Sequence, residues 1–344
     1  MSDTLHCAVI GVGAFGRNHA RVYSELSDNA TLAGIVDPNP ATRDAAAKQY
    51  GVAAFADLDA LLAAKREGKL QLHAASVAVP TEHHLAAAKA LMEAGVDVLI
   101  EKPIASSIAE ADQIASTAAR TERIAMVGQL ERFNPAVLAA RKLISRPMFF
   151  ECHRLSIFTP RSLDVDVVLD LMIHDLDIVL SLVDSPVREV HAVGLPILTR
   201  KVDIANVRVE FANGCVANFT ASRVSTERVR KLRLFQPHEY LSIDYGRQDL
   251  IAIRVDEQIA AALEHLSRNS AAAAAIPSGS PGVEITKPPV TPGEPLRAEI
   301  EEFLRAVRTR TAPAVTIGDG SRALGLALAI HQRIEEHRRR AGLG

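Results

Sequence analysis

The chain has 344 residues, of which 48% are hydrophobic and 23% are charged, and this length suggests two domains or one large α/β domain. The formal net charge is −2, aromatic residues make up 4% and Trp is absent, which argues against nucleic-acid binding and against an anionic membrane surface. The cysteines Cys7, Cys152 and Cys215 form no CxxC pair, so we expect neither a disulfide framework nor a metal site.

The first residues run directly into a strand pattern, without the basic and apolar regions of a signal peptide. The apolar runs are short or interrupted by charges, so no transmembrane helix is indicated. We therefore expect a soluble, cytoplasmic protein.

The first part of the chain alternates apolar runs with helical patterns. Strands are predicted at 5–10, 31–37, 73–80, 96–103 and 123–129, and helices at about 15–26, 41–51, 58–68, 83–95 and 107–122. This alternation predicts βαβ units in a parallel sheet.

From about residue 149 the pattern changes to strands with alternating polar and apolar residues. One helix, at about 167–183, is predicted before most of these strands. The Asn213-Gly214 pair predicts a β-hairpin within a mostly antiparallel sheet. The Pro- and Gly-rich segment 276–295 is predicted to be an irregular loop. Two further helices are predicted, one beginning near Pro295 and one at about 321–339.

A glycine-rich turn follows the first strand. The residues Gly11-Val-Gly13-Ala-Phe-Gly16 match GxGxxG between a strand and a helix. Gly11 permits the tight turn, Gly13 lets the backbone approach a pyrophosphate, and Gly16 lets the helix pack on the strand. The helix N-terminus offers N–H groups to the phosphates, so the turn predicts a dinucleotide site.

An acidic residue stands at the end of the second strand, 21 residues after the last glycine of this turn. Asp37 is placed to accept hydrogen bonds from the adenosine ribose hydroxyls and to repel a 2′-phosphate. The next residues are Pro38 and Asn39 and not Arg. The sequence therefore predicts NAD in preference to NADP.

The tripeptide Glu101-Lys102-Pro103 ends another strand of the parallel sheet, and ligands of such sheets lie beyond the carboxyl ends of the strands. A lysine there can hydrogen-bond a substrate hydroxyl or the carbonyl formed from it. The alternative is a surface lysine paired with Glu101.

An acidic and imidazole stripe is predicted on the helix at 167–183. Asp170, His174 and Asp177 are spaced i, i+4 and i+7, with Asp166 near the same stripe and Asp175 on the other side. An imidazole flanked by carboxylates is equipped to act as a general base or acid. The alternative is a core histidine held by an aspartate.

These motifs together resemble the Gfo/Idh/MocA family of oxidoreductases: GVGAFG, Asp37, the segment 77–84, the EKP tripeptide and the segment 170–177 occur in that family's order and spacing, over essentially the whole chain. The resemblance implies an α/β protein with an N-terminal Rossmann NAD-binding domain, assigned to 1–127. It also implies a C-terminal α+β domain, assigned to 128–344, with a large open, mostly antiparallel sheet for substrate binding and oligomerisation. The C-terminal helices are expected to pack back on the first domain.

The resemblance also implies roles for individual residues. Lys102 corresponds to the family's characteristic active-site lysine, and Asp170 and His174 correspond to the acid and histidine that accompany it. We assign the base to His174, oriented by Asp170, although the lysine itself is an alternative base. The implied cofactor-binding residues are Gly11, Gly13, Ala14, Phe15, Gly16, Asp37, Pro80, Thr81, His84, Glu101, Lys102 and Gln129.

Two of these positions leave questions open. Thr81 stands where the family often has Asn, and we expect its hydroxyl to cap the following helix. His84 fits the family's histidine, and local packing and capping is its alternative role.

Three segments carry a finer resemblance. Residues 128–137, 153–177 and 217–245 are similar to the branch of the family that acts on UDP-linked N-acetylated sugars, in particular to members that oxidise the 3-hydroxyl of UDP-N-acetylglucosamine and supply an aminotransferase for lipid A synthesis. The implied substrate-binding residues are Lys102, Arg154, Arg161, Asp170, His174 and Arg223. For Arg154, Arg161, Arg223 and also Arg228, a solvated surface position is the alternative.

Several alternatives remain at this point. The chain is alternatively a family member that acts on a free sugar, a cyclitol or a biliverdin-like substrate, or a non-catalytic NAD-binding sensor. The lack of a basic recognition helix argues against a DNA-binding repressor. The open sheet is expected to expose a broad apolar face and to form a homodimer or homotetramer through it.

Overall fold

The chain divides by its internal contacts into two units. A computed structural model describes residues 4–159, 165–256 and 282–342. The first unit comprises Met1–Phe133 and Glu294–Leu326, and the second comprises Asn134–Gly293 and Ala327–Gly344. The segment from Glu294 thus returns to the first unit before the chain passes into the second at Ala327.

Strands and helices alternate along the first part of the chain. They are β1 (Leu5–Ile10), α1 (Gly16–Glu25), β2 (Ala30–Val36), α2 (Pro40–Tyr50), β3 (Ala53–Phe55), α3 (Leu58–Arg66), β4 (Ala74–Val77), α4 (His84–Glu93), β5 (Asp97–Glu101), α5 (Ile108–Thr121) and β6 (Ala125–Gly128). The sheet order is β3-β2-β1-β4-β5-β6, and every pair is parallel. The predicted Rossmann arrangement is therefore confirmed, with the short strand β3 as an addition.

Local signals explain why these elements begin and end where they do. The side chain of Asn39 accepts hydrogen bonds from the first N–H groups of α2, Pro40 follows it, and Gly51 ends the helix with a φ of 66°. The strands β4, β5 and β6 are buried along their whole length, as expected for a parallel sheet covered on both faces.

The second part of the chain builds a larger sheet. Its elements are α6 (Pro135–Arg141), β7 (Phe149–Leu155), α7 (Ile173–Leu182), β8 (Val187–Leu195), β9 (Ile204–Phe211), β10 (Val216–Ser222), β11 (Val229–Gln236), β12 (Glu239–Asp244), β13 (Asp249–Val255) and β14 (Val283–Thr286). The sheet order is β14-β13-β12-β11-β7-β10-β9-β8, antiparallel except for the β7–β10 pair. The mostly antiparallel sheet is confirmed, as is the hairpin at Asn213-Gly214 between β9 and β10.

One local prediction in this part was wrong. The loop predicted over 276–295 contains β14, because Val283–Thr286 pairs with the partner strand β13. That pairing depends on residues far apart in the sequence, whereas the Pro and Gly content of the segment indicated a loop. Residues 276–281 lie outside the described residues.

The chain ends in two helices, α8 (Pro295–Thr309) and α9 (Ile317–Arg340). α9 begins at Ile317 instead of the predicted 321. Thr316 and Asp319 cap its start reciprocally, since each side chain accepts the backbone N–H of the other. Among the described residues, none of the helices has the length and apolar character needed to cross a membrane.

The open face of the second sheet differs from its expected apolar character. Along β7 the side chains alternate, so that Phe150 and Cys152 are buried, whereas Phe149 and Glu151 lie on the half-exposed face. The register places Glu151 beside Arg233 of β11, and their side chains form an ion pair of 2.7 Å. The face is therefore mixed polar and aromatic, because charged residues occupy alternate strand positions. The expected homodimer or homotetramer stays a prediction.

The first turns of α9 cover the edge of the parallel sheet. The N–H of Val127 in β6 donates to the carbonyl of Val315 at 3.2 Å. A Cβ on Gly320 would lie 2.8 Å from Cγ2 of Val127, so the helix approaches the strand as closely as a glycine allows. This contact protects an edge strand that is otherwise open to pairing.

We predict that Gly320→Ala destabilises the protein by about 1–3 kcal/mol, because the added methyl group overpacks against the stiff side chain of Val127. In a Val127→Ala background the same change should cost less, since the two clashing Cγ atoms are gone and only the Cβ contact of 3.3 Å remains. Urea unfolding of the two single variants and the double variant measures this coupling. Gly325→Ala is the control, because its Cβ would make an ordinary 3.7 Å contact with Ile108. Equal effects at 320 and 325 would contradict the packing argument.

Candidate active site and cofactor site

The glycine-rich turn has the geometry of a phosphate cradle. Gly11 has a φ of 87°, and a Cβ there would lie 2.7 Å from the carbonyl oxygen of Ala78. A Cβ on Gly16 would lie 1.8 Å from the carbonyl oxygen of Gly11. At Gly13, by contrast, no atom of the described chain other than its two sequence neighbours comes within 4 Å of a Cβ position. The exposed backbone at Gly13 therefore fits the close approach of the NAD pyrophosphate, next to the N-terminus of α1.

The carboxylate of Asp37 is held in one orientation. Its Oδ2 accepts the N–H of Val12 at 3.0 Å, and its Oδ1 accepts the N–H of Asn39 at 2.9 Å. A carboxylate has about four lone-pair sites, so each oxygen keeps capacity for a ribose hydroxyl. The arrangement fits an adenosine ribose with a free 2′-hydroxyl. Ala14 and Phe15 lie on the same exposed loop as Gly13.

The loop after β4 carries three of the predicted cofactor residues. Pro80 is exposed, and Thr81 opens a single 3₁₀ turn, Thr81–His83, before α4. Within the described chain, neither this turn nor α4 has a side-chain cap, so the prediction that the Thr81 hydroxyl caps the helix was wrong. The preceding Pro80 and the short turn lead the backbone into the helix instead.

His84 lies beneath this loop and is 1% exposed. Its Nε2 is 2.9 Å from the carbonyl oxygen of Val79, and its Nδ1 is 3.0 Å from that of Pro103. The ring thus packs between the loops after β4 and β5, and as a neutral ring it donates its one N–H to one of these two carbonyls. This is the packing role left open by the sequence. Burial lowers the pKa of His84, so the ring is neutral near pH 7.

Three further predicted residues stand at the ends of β5 and β6. Glu101 is buried, Lys102 is half-buried, and the Lys102–Pro103 peptide bond is cis. Gln129 is 2% exposed, and its Oε1 has no hydrogen-bond partner among the described residues. A buried amide oxygen without a donor fits a site that a ligand N–H completes.

One buried residue at this place was missed by the sequence analysis. The imidazole of His19 in α1 lies 2.8 Å from Oε1 of Glu101. Its burial could have been predicted from its position three residues after Gly16. That spacing places it one helical turn further along the face of α1 that packs on the sheet.

In the second unit, the predicted helix at 167–183 is confirmed but its first turn is wider than expected. Val168–Met172 forms a π-helical turn, and the α-helix begins at Ile173. Such turns occur frequently at functional sites. Asp170 and His174 are half-buried, whereas Asp177 is 1% exposed. Of the predicted stripe, therefore, Asp170 and His174 retain the greater access for a substrate.

Asp166 caps this wide turn. Its Oδ1 accepts the N–H groups of Val168 and Leu169, at 2.7 and 3.2 Å, and its Oδ2 lies 2.9 Å from Nε2 of His331 in α9. Burial raises the pKa of Asp166, but the His331 and backbone contacts outweigh it, and the pKa lies below its ordinary value. The carboxylate near the predicted stripe thus fixes the start of the helix.

Arg154, a predicted substrate ligand, is 2% exposed and paired with Asp175. Its Nε and Nη2 donate to the two carboxylate oxygens, each at 2.9 Å, and its guanidinium lies 5.1 Å from the centre of the Tyr245 ring. Asp175 lies on the side of the helix opposite the predicted stripe, and its bidentate pair with Arg154 is a structural contact. The substrate role of Arg154 stays a prediction.

The other arginines have different surroundings. Arg223 is 6% exposed, and its Nε is 3.7 Å from Oδ1 of Asp203. Arg228 is exposed on the loop before β11. Arg161 lies outside the described residues.

We predict that His84 makes stability depend on pH below about 6.5. Since its folded-state pKa lies below the ordinary 6.5, the unfolded state takes up the proton first as the pH falls. The contribution of neutral His84 is complete above pH 6.5 and is lost as the pH falls towards the folded-state pKa. Urea unfolding of wild type and His84→Gln between about pH 8 and 5 should give curves that converge at low pH. His191→Gln, at an exposed histidine, is the control, and parallel curves for wild type and His84→Gln would refute the assignment.

We predict that Arg154→Met lowers the free energy of unfolding by about 3–5 kcal/mol, because it leaves the Asp175 carboxylate buried without its cation. Arg154→Met/Asp175→Leu should recover much of the loss. The control is Arg233→Met, which breaks the half-exposed pair between Arg233 of β11 and Glu151 of β7, the strand that also carries Arg154. This change should cost about 1 kcal/mol or less. A stable Arg154→Met protein with a raised KM for a nucleotide sugar would instead support the substrate role.

Comparison with known proteins supports the family resemblance over both units. Residues 5–129 match the model of the Gfo/Idh/MocA oxidoreductase family, NAD-binding Rossmann fold, and residues 144–236 match a Gfo/Idh/MocA C-terminal domain. The chain is 35% identical over 332 residues to UDP-N-acetylglucosamine 3-dehydrogenase of Acidithiobacillus ferrooxidans, covering 96% of this chain and 97% of the relative. It is 25% identical to inositol 2-dehydrogenase of Rhizobium meliloti, covering 97% and 98%.

Solved structures agree with the fold. The Acidithiobacillus ferrooxidans UDP-N-acetylglucosamine 3-dehydrogenase structure superposes with a TM-score of 0.85 at 34% identity, covering 97% of this chain and 98% of that one. Levoglucosan dehydrogenase in complex with NADH and levoglucosan gives a TM-score of 0.80 at 19% identity, covering 97% and 98%, which supports the fold alone. The chain therefore belongs to the Gfo/Idh/MocA family and is an NAD-dependent oxidoreductase.

Proposed function

We propose that this oxidoreductase oxidises the 3-hydroxyl of UDP-N-acetylglucosamine to the 3-keto sugar nucleotide, with release of NADH and a proton. The observation that carries the proposal is the 35% identity, over 96% of the chain, to a relative named for that activity. The product carries a ketone, which an aminotransferase converts to an amine, so a pathway aminotransferase is the proposed downstream partner.

The cofactor is proposed to be held by the first unit. The exposed backbone at Gly13 would receive the pyrophosphate, and the oriented carboxylate of Asp37 would accept the ribose hydroxyls. Oε1 of Gln129 offers an acceptor for a ligand N–H. Bound NAD supplies the hydride acceptor for the carbinol carbon.

The proton chemistry is assigned to the chain's own residues. Lys102 would hold the substrate hydroxyl oxygen and stabilise the alkoxide charge that develops there. His174 would take the hydroxyl proton at a ring nitrogen, with Asp170 orienting the ring. Support for the pair is that both side chains are half-buried on one short helical segment. Proton transfer to Lys102 itself is the alternative.

A diphosphate on the substrate calls for cationic partners. Arg154 and Arg223 each already face a carboxylate, Asp175 and Asp203 respectively. A substrate diphosphate would therefore have to share these cations with the two aspartates.

The test is an absorbance assay at 340 nm with NAD and UDP-N-acetylglucosamine, and with a carbonyl trap or the aminotransferase added to draw off the ketone. Lys102→Ala and His174→Ala should each lower kcat by about 10²–10⁴-fold. The controls are Lys89→Ala and His191→Ala, which remove exposed side chains and should leave kcat unchanged. Retention of activity in both Lys102→Ala and His174→Ala would overturn the assigned chemistry.

The same assay separates the competing functions. Turnover of myo-inositol or a free sugar without turnover of UDP-N-acetylglucosamine would establish a dehydrogenase of free sugars or cyclitols. The 25% identity to inositol 2-dehydrogenase is the observation that favours this alternative. NAD binding by calorimetry without turnover of any of these alcohols would favour a non-catalytic sensor.

A further inference from the structure

A chain of buried polar groups runs from the core of the first unit to the end of β5. Oη of Tyr23 lies 2.9 Å from Oγ of Ser76, and this Oγ lies 3.0 Å from Nδ1 of His19. On the other side of the ring, Nε2 lies 2.8 Å from Oε1 of Glu101. Tyr23, Ser76 and His19 are each 0% exposed, and Glu101 is 9% exposed. None of the first three belongs to the predicted site.

The chemistry of the groups sets the direction of these hydrogen bonds. An ionised carboxylate only accepts, so Nε2 of His19 carries the hydrogen that is donated to Glu101. On the other side of the ring, Nδ1 shares a hydrogen bond with the Ser76 hydroxyl, whose oxygen also accepts from Tyr23. Burial raises the pKa of Tyr23 well above its usual value, so the phenol keeps the hydrogen it donates.

The Glu101 carboxylate is held from three directions. Besides the bond from His19, its Oε2 accepts the backbone N–H of Lys102 at 3.3 Å. On the third side, a Cβ on Gly128 of β6 would lie 2.9 Å from Oε1, so the strand leaves just enough room for the carboxylate. The position of Glu101 thus bears directly on the backbone of Lys102.

His19 also contacts the glycine-rich loop. The ring of Phe15 packs against it edge to face, with centroids 5.3 Å apart. The imidazole therefore lies between the predicted dinucleotide loop and the strand end that carries Lys102. Its contact with the strand end is the hydrogen bond from Nε2 to Glu101.

We propose that His19 is a positioning residue: through its Nε2–H it fixes the Glu101 carboxylate, which fixes the backbone of Lys102 relative to the dinucleotide loop. This rests on the active-site role proposed above for Lys102. A displacement of about 1 Å at a reacting group can lower a rate about 100-fold, so a loss of kcat is the expected signature.

The variants separate positioning from stability. His19→Met removes the donor and should lower kcat about 10- to 100-fold with little change in KM. His19→Gln places an amide N–H near the position of Nε2 and should restore kcat to within about 3-fold of wild type. Thr117→Val is the control, because it removes a buried hydroxyl bonded to the Gln113 carbonyl in α5, away from this chain of groups. It should leave kcat unchanged even if the protein unfolds more easily.

Gly128→Ala tests the same inference without removing a donor. Its methyl group would press on Oε1 of Glu101, and kcat should fall while the fold is retained. If His19→Met does not fold, this variant decides the question, since a wild-type kcat in Gly128→Ala would overturn the proposal. A wild-type kcat in a folded His19→Met protein would overturn it as well.

A readout that does not depend on turnover keeps this inference separate from the substrate assignment. In ¹⁵N-histidine-labelled protein without cofactor, the signal lost in His19→Gln should report a ring with hydrogen on Nε2. A ring with hydrogen on Nδ1 and none on Nε2 would overturn the hydrogen-bond assignment. If the wild type fails to oxidise UDP-N-acetylglucosamine, the proposed function fails, but the ring state and the Glu101 position in a His19→Met crystal structure still decide the role of His19.

Discussion

The contact between the backbones of Gly11 and Gly16 determines how the cofactor site is built. With a Cβ position only 1.8 Å from a carbonyl oxygen, no side chain is possible at residue 16 without moving the turn. The absence of that side chain lets α1 begin directly behind β1, so its N-terminus lies at the carboxyl end of the sheet. It also places His19, one turn into the helix, against Glu101 at the end of β5. A glycine requirement in one turn thus sets the geometry of a strand end more than 80 residues away.

Carboxylates in both units are held by specific donors. Glu101 has His19, Asp175 has Arg154, and Asp166 has the first N–H groups of its helix. Unpaired charges in such buried surroundings are costly, so each pair restricts its carboxylate to one orientation. The backbone around Lys102 and the helical turn that contains Asp170 are therefore both held by contacts within the chain.

The family fold leaves the substrate to side chains that surround the reacting centre. A relative that covers nearly the full chain is named for a nucleotide-sugar activity, while a more distant one is named for inositol oxidation. The two substrates differ in a diphosphate and a base, so the discriminating groups must lie where those parts bind. The pairing of Arg154 and Arg223 with aspartates shows that arginine content by itself does not identify these groups.

The sequence by itself determined the parallel sheet, the glycine turn, Asp37, the Asn213-Gly214 hairpin and the helix that bears Asp170 and His174. Those features depend on local periodicity, on backbone freedom at glycine and on residues that are neighbours in the chain. Only the tertiary structure decided that His19 meets Glu101, that Asp175 binds Arg154, and that Val283–Thr286 forms a strand. Each depends on a partner that the fold brings from a distant part of the sequence. Asp166, which caps the wide turn at Val168–Met172, likewise has a distant neighbour, because its other oxygen lies 2.9 Å from Nε2 of His331 in the last helix.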